Sequence, residues 1–194
     1  MKVLLFLPKG FEHMETGVFI DVLGWARELF DCDIEVVTGG YRREVASTFG
    51  VPIVVDKLID DIVVEDYAAL ALPGGFQNHG FFEEANDAKF QDIIRKFDAG
   101  GKIIASICVA ALALGESGIL KGRKATTYHY DGGIRQGELA ALGAIVQKES
   151  VVVDRNVITS WCPETAVRVA FLLLEMLTSR EKADEVKAAM GYTA

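Results

Sequence analysis

Positive charge is in short supply in this chain: 20 lysines and arginines stand against 28 aspartates and glutamates in 194 residues, a net charge of −8. A surface so balanced argues against nucleic acid as a main partner, because phosphate backbones are held by basic patches. Long apolar runs are also missing. No stretch approaches the ~20 residues needed to span a bilayer, so no membrane partner is expected. The opening MKVLLFL has the look of a leader, but Pro8, Lys9 and Glu12 follow at once, and the segment reads as a first strand. Cysteine is sparse: Cys32, Cys108 and Cys162 form an odd set without metal-ligand spacing, which fits a reducing cytoplasm. No GxGxxG follows the first strand and no GxxxxGK[ST] occurs, which argues against dinucleotide and Walker-type phosphate binding. PKGFEHME offers no Ser/Thr-rich loop for a flavin phosphate. Neither a cofactor nor a metal is therefore expected. No linker, repeat or low-complexity stretch divides the chain, so residues 1–194 read as a single domain.

What is present is an alternation of apolar runs with helix-period stretches. KVLLFL, DIEVVT, YAALALP and KIIASIC read as strands, and helices are expected from Glu15 to Phe30, near Asp87 to Phe97 and directly after Cys108. Glu44 to Asp56 reads as a hairpin arm, KATT as a short strand and Ile134 to Leu142 as a short helix. VVVDRNVIT reads as an edge hairpin, and Pro163 to Leu177 as an amphipathic helix that resumes after a break. Strands apolar on both faces, alternating with helices, imply a parallel sheet covered on both sides, an α/β sandwich.

In such sheets sites form beyond the carboxyl ends of the strands. Four such ends carry polar or glycine-rich turns here: KGFEHMET, PGGFQNHG, the Cys108 turn and Tyr128-His129-Tyr130. Cys108 is the most informative residue. It lies between a strand and a helix, with the small residues Ser106 and Ala110 two positions away on either side, as a sharp nucleophile elbow requires. The helix that follows favours thiolate over thiol. Pro73-Gly74-Gly75 offers backbone N–H groups to an oxyanion, together with the N–H of Val109 or of Cys108 itself. Glu12 and Glu15 both open the first helix, and either can address the thiol. A protonated carboxyl would stabilise thiolate and an ionised one would oppose it. His129 is the best placed of the three histidines for a general base. Trp25 reads as a core residue, and Trp161 as a candidate pocket wall.

Taken in order, KGFEHMETG, ALPGG, ASICVAALALGESGILKGRKATTYH and ITSWCPET resemble the ThiJ/PfpI superfamily, whose wider fold is that of class I glutamine amidotransferases. The resemblance covers nearly the whole chain. It implies a flavodoxin-like three-layer sandwich, a homodimer and no required cofactor. It matches Cys108 to the reactive cysteine, Glu15 to the glutamate that contacts it, and Gly74, Gly75 and Val109 to the oxyanion donors. The protease-like branch carries His directly after the cysteine, where this chain has Val109. The deglycase-like branch carries His directly after the Thr pair, where this chain has Tyr128 and only then His129. The isonitrile hydratase-like branch matches the run from Ala111 to Thr127 but has Asp at the Glu15 position.

The expected function is attack by the Cys108 thiolate on a small electrophilic carbonyl or a modified protein side chain, of glyoxalase, deglycase or amide-hydrolase type. A redox sensor or stress-protective protein without turnover is the alternative, and isonitrile hydration a further one. Val18, Phe19 and Val22 of the first helix are expected at the dimer interface.

Overall fold

The computed structural model describes residues 1–192. In chain order its elements are β1 (Lys2–Phe6), α1 (His13–Phe30), β2 (Glu35–Gly40), β3 (Glu44–Ala46), β4 (Pro52–Val54), β5 (Lys57–Leu58), β6 (Ala69–Leu72), α2 (Phe81–Ala85), α3 (Ala88–Ala99), β7 (Ile103–Ser106), α4 (Ala110–Glu116), β8 (Lys124–Ala125), α5 (Ile134–Ala141), β9 (Ile145–Val146), β10 (Val151–Asp154), β11 (Val157–Ser160), α6 (Ala166–Leu177) and α7 (Arg180–Ala189).

The main sheet runs β10-β11-β7-β6-β1-β2-β5, parallel throughout except for the antiparallel β10–β11 hairpin at one edge. Its strands are buried on both faces, and period-2 alternation sends their side chains into separate cores. Val3 and Leu5 of β1 join Phe19, Val22 and Leu23 of α1 and the apolar face of α6. Leu4 and Phe6 point the other way, to Phe90, Ile94 and Phe97 of α3 and the apolar residues of α4. The result is a flavodoxin-like three-layer α/β sandwich. β3 and β4 form a separate antiparallel hairpin, and β8 and β9, joined through α5, form a short parallel pair.

The helix ends have local causes. The Glu12 side chain caps α1 by accepting from the Met14 N–H (3.4 Å), and Asp31 ends the helix in a left-handed turn. Asp87 caps α3 through the Lys89 N–H (3.0 Å). A break at Thr178, followed by the Ser179 cap, separates α6 from α7.

Two expectations about α1 are corrected. Phe19 and Val22 are fully buried against the sheet and α6, so they cannot form an outward interface; Val18 is half-buried. Trp25 is 40% exposed rather than in the core. At roughly 100° per residue, position 25 falls well off the Phe19–Val22–Leu23–Ala26 stripe that faces α6.

The chain crosses to the far side of β1 between β2 and β6, which makes the β1/β6 pair the point where strand order reverses. A crevice opens there beyond the carboxyl ends.

Candidate active site

The β1 and β6 ends are tied together over this crevice. Glu12 N–H donates to Gly74 O (2.7 Å), Phe76 N–H donates to Gly10 O (3.1 Å), and Phe11 bridges to Gly75. Next to them β7 ends at Ser106, and the chain turns through Cys108 into α4. Cys108 adopts φ = +58°, a left-handed conformation that costs a residue with a Cβ about 1–3 kcal/mol. The elbow is therefore real, and it holds the sulfur between the two cores, in contact with both.

Cys108 opens onto a cavity of about 450 Å³ lined by Glu12, Glu15, Gly75, Phe76, Val109, Tyr128, Asp131 and Arg135, among others. Behind the sulfur, Glu15 is fully buried. Its Oε2 accepts the Gly74 N–H at 2.6 Å, while Oε1 has no fixed partner. Burial pushes the Glu15 pKa up to about 8, the Gly74 hydrogen bond opposing it. At neutral pH the carboxyl is therefore protonated. Both glutamates are buried and line the cavity, but Glu15 is the one that interacts with the thiol, while Glu12 caps α1.

The Cys108 thiol is itself pushed up, first by burial and then by negative charge on Glu15, with the Val109 N–H opposing. Two anions cannot share this enclosure, so the pair loses its protons in two separated steps that belong to both groups. While Glu15 keeps its proton the charge repulsion is absent, and its O–H can donate to sulfur. The first proton lost is thus shared between oxygen and sulfur.

The backbone donors are redistributed relative to expectation. Gly74 is not an oxyanion donor: its N–H is already given to Glu15. The Cys108 N–H is likewise engaged, with Ser160 O at 3.0 Å. The Val109 N–H points at the Cys108 sulfur. Gly75 lines the cavity, and its N–H has no acceptor among the described residues. Glycine is required at both 74 and 75. A Cβ at Gly74 would lie 2.8 Å from the Cys108 Cβ and 2.9 Å from Glu15 Oε2, and one at Gly75 would collide with Gly10 O and the Phe81 ring.

His129 lies away from the cavity wall. It packs between Tyr130 and Trp161 (ring centroids 4.1 and 4.0 Å), and its buried Nδ1 has no partner. The wall position is taken by Tyr128. Burial, and then charge on Cys108, raise the Tyr128 pKa, so it stays a protonated donor. Trp161 does not line the cavity either. Its Nε1–H donates to Thr126 Oγ1 (2.7 Å), bracing the segment that carries Tyr128.

Sequence reading did not single out Asp131 and Arg135. Arg135 sits in the first turn of α5, where its guanidinium donates to Gln77 Oε1 (2.6 Å) and Glu138 Oε2 (2.8 Å) and covers the Phe82 ring at 5.2 Å. The left-handed glycines Gly132 and Gly133 turn the chain to bring it there. An Asp-Gly-Gly turn before a helix was the available signal. Among the described residues, no cluster of three or more His, Cys, Asp or Glu is placed to hold a metal ion, and no helix is long and apolar enough to cross a membrane.

A parallel α/β sandwich whose cysteine sits on a strained strand-to-helix turn, backed by a buried carboxyl, defines the class of nucleophile-elbow cysteine proteins. Comparison with known proteins narrows it: the DJ-1/PfpI family model matches residues 1–176, and the chain belongs to that family. It is 34% identical over 192 residues to Protein DJ-1alpha of Drosophila melanogaster, covering 98% of this chain and 83% of the relative. It is 32% identical over 189 residues to Protein DJ-1 homolog A of Arabidopsis thaliana, covering 97% of this chain but only 46% of that longer protein. The chain thus spans about half the length of that Arabidopsis relative, or less for its homolog B (41%). Among solved structures, Drosophila melanogaster DJ-1beta superposes with a TM-score of 0.85 at 28% identity, over 100% of this chain and 98% of that one. Toxoplasma gondii DJ-1, in a structure described as oxidized, superposes with a TM-score of 0.84 at 29% identity, over 100% and 99%.

Proposed function

We propose that this protein is a cysteine-dependent enzyme acting on small electrophilic carbonyl compounds, with 2-oxoaldehydes as the substrate class. The observation that carries this reading is Cys108 at φ = +58° over an open cavity, with a buried Glu15 of pKa about 8 behind it. The Cys108 sulfur adds to the aldehyde carbon, and the carbonyl oxygen takes up the negative charge. The Gly75 N–H and the Tyr128 hydroxyl, on the cavity wall, are the donors for that charge, while the Val109 N–H serves the sulfur. Glu15 then moves protons. A carboxyl with a pKa near the working pH can give a proton at one step and take one at the next. Adding water across the 2-oxoaldehyde gives a 2-hydroxy acid, with the thiol regenerated.

Steady-state conversion of methylglyoxal tests this. Turnover that disappears in Cys108→Ser and falls at least ~100-fold in Glu15→Ala, the scale of a lost general acid–base, is the expected result. Turnover that survives Cys108→Ser overturns the reading.

A redox role without turnover is the second reading. An accessible cysteine that forms thiolate oxidises readily, and the oxidized Toxoplasma relative is similar over its whole length. In either case the chain acts as a homodimer in our reading. The outward face of α1 favours this: Met14 is 60% exposed, and Gly17 and Gly24 stand in open space. Exposed helix glycines cost ~1 kcal/mol each relative to alanine, a cost that close approach of a second helix would offset.

A further inference from the structure

Cys162 is a second thiol beside the site, and the proposed reaction does not use it. Its place follows from the sheet. β11 runs parallel to β7 with Thr159 opposite Ser106, and beyond the strand ends the Cys108 N–H donates to Ser160 O. Cys162 follows Ser160 by two residues, so the chain carries it out of the sheet beside the Cys108 turn.

Other features agree. Pro163, next to Cys162, lines the cavity into which Cys108 opens. Charge on Cys162 pushes the Cys108 pKa up, and charge on Glu15 pushes up both, so the three groups share one enclosure. The Glu164 and Thr165 N–H groups are directed at the Cys162 sulfur and favour its thiolate against the burial that opposes it. All three cysteines are free. Cys32 lies beyond the far end of α1, next to the start of β2, at the opposite pole of the sheet.

From this juxtaposition we propose that Cys162 is a resolving thiol, which closes an intramolecular disulfide onto Cys108 after a hydroperoxide has oxidised it. The Cys108 thiolate attacks the peroxide O–O bond. Sulfur takes one oxygen as sulfenic acid, and the other leaves as water (or an alcohol) after protonation. The Cys162 sulfur then attacks the Cys108 sulfur. The S–S bond forms, the S–O bond breaks, and the hydroxyl departs with the Cys162 proton as water. Sulfur has been oxidised and peroxide reduced, and a small dithiol restores both thiols. The device would divert Cys108 from irreversible sulfinic acid. It rests on the reading that Cys108 forms an accessible thiolate.

The test is to treat the reduced full-length protein with stoichiometric hydrogen peroxide, quench with N-ethylmaleimide and map peptides without reduction. The expected product links the Cys108 and Cys162 peptides within one chain and persists in Cys32→Ser. In Cys162→Ser and Cys162→Ala the link is lost, and the sulfinic form of Cys108 accumulates severalfold faster. Cys108 oxidised to sulfenic or sulfinic acid without a link, at equal rates in wild type and Cys162→Ser, overturns the inference and leaves the proposed chemistry standing. A link that forms only between differently isotope-labelled chains overturns it as well. A Cys108 inert to both peroxide and iodoacetamide overturns the inference and the enzyme reading together.

Discussion

The Gly74 N–H donates to Glu15 Oε2 at 2.6 Å across 59 residues of sequence and fixes that oxygen, while the other carboxyl oxygen is buried without a hydrogen-bond partner. This bond makes an apparent turn residue into the positioning element of the acid–thiol pair. Because a Cβ at position 74 would meet both members of that pair, Gly74→Ala disturbs them together. The expected cost is about 1–3 kcal/mol from overpacking, read by chemical denaturation, with iodoacetamide labelling of Cys108 slowed at neutral pH. Wild-type labelling and stability would refute the assignment.

Burial of Glu15 also makes folding depend on pH. Its folded pKa of about 8 lies above the ordinary ~4.3 of an exposed glutamate. The folded state therefore binds more protons, and stability falls as pH rises between those two values. Glu15→Gln keeps a group that can accept from Gly74 yet cannot ionise. The variant is expected to lose this slope and to exceed wild type in stability at pH 8. Urea denaturation across the window checks it, and parallel curves for the two proteins would contradict the protonation state assigned here.

The same variant separates the coupled titration. Wild-type Cys108 should alkylate with a broad, two-step pH profile, because Glu15 charge opposes the second ionisation. Glu15→Gln should show one step, at or below the wild-type first midpoint, since the repulsion is gone and an amide N–H faces the sulfur. A midpoint moved upward would mean that Glu15 normally acts as an anion.

Among the described residues Arg135 is the one cation on the cavity wall, where it pairs with Asp131 (3.9 Å) and Glu138 (2.8 Å). Iodoacetate and iodoacetamide are nearly the same size and differ in charge. Arg135→Gln is expected to lower the iodoacetate-to-iodoacetamide rate ratio at Cys108 by about 3-fold at low salt, with less effect at high salt. An unchanged ratio would remove Arg135 from substrate recognition.

Gly17→Arg and Gly24→Arg improve helix propensity while placing charge on the outward face of α1. Each is expected to give a folded monomer by sedimentation at micromolar concentration. A dimer that tolerates both would put the interface elsewhere.

The sequence was legible where chemistry is written locally. Cys108 and its small flanking residues announce the elbow, and the alternation of apolar runs announces the sheet. Glu12 and Glu15, both buried, could not be told apart by composition, because the difference is what each meets, the α1 N-terminus for Glu12 and Gly74 beside the thiol for Glu15; resemblance to the family chose Glu15, and the fold supplies the reason. The role of Gly74 was invisible, since its partner lies on another element. The His129 expectation failed by one residue. β8 ends at Ala125, and in the irregular segment after it nothing in the pattern says which side chain meets the wall, so Tyr128 takes the position. Phe19 and Val22 looked like surface residues only while the packing of α6 on α1 was unknown.

The left-handed backbone at Cys108 carries one more implication. Glycine is the residue that would rest there without steric penalty, and glycine has no thiol. Comfort for the chain and reactivity for the protein are thus mutually exclusive at position 108. A Cys108→Gly protein should outlast its parent on heating, and a lineage released from the need for this chemistry would have a standing thermodynamic incentive to lose the cysteine first.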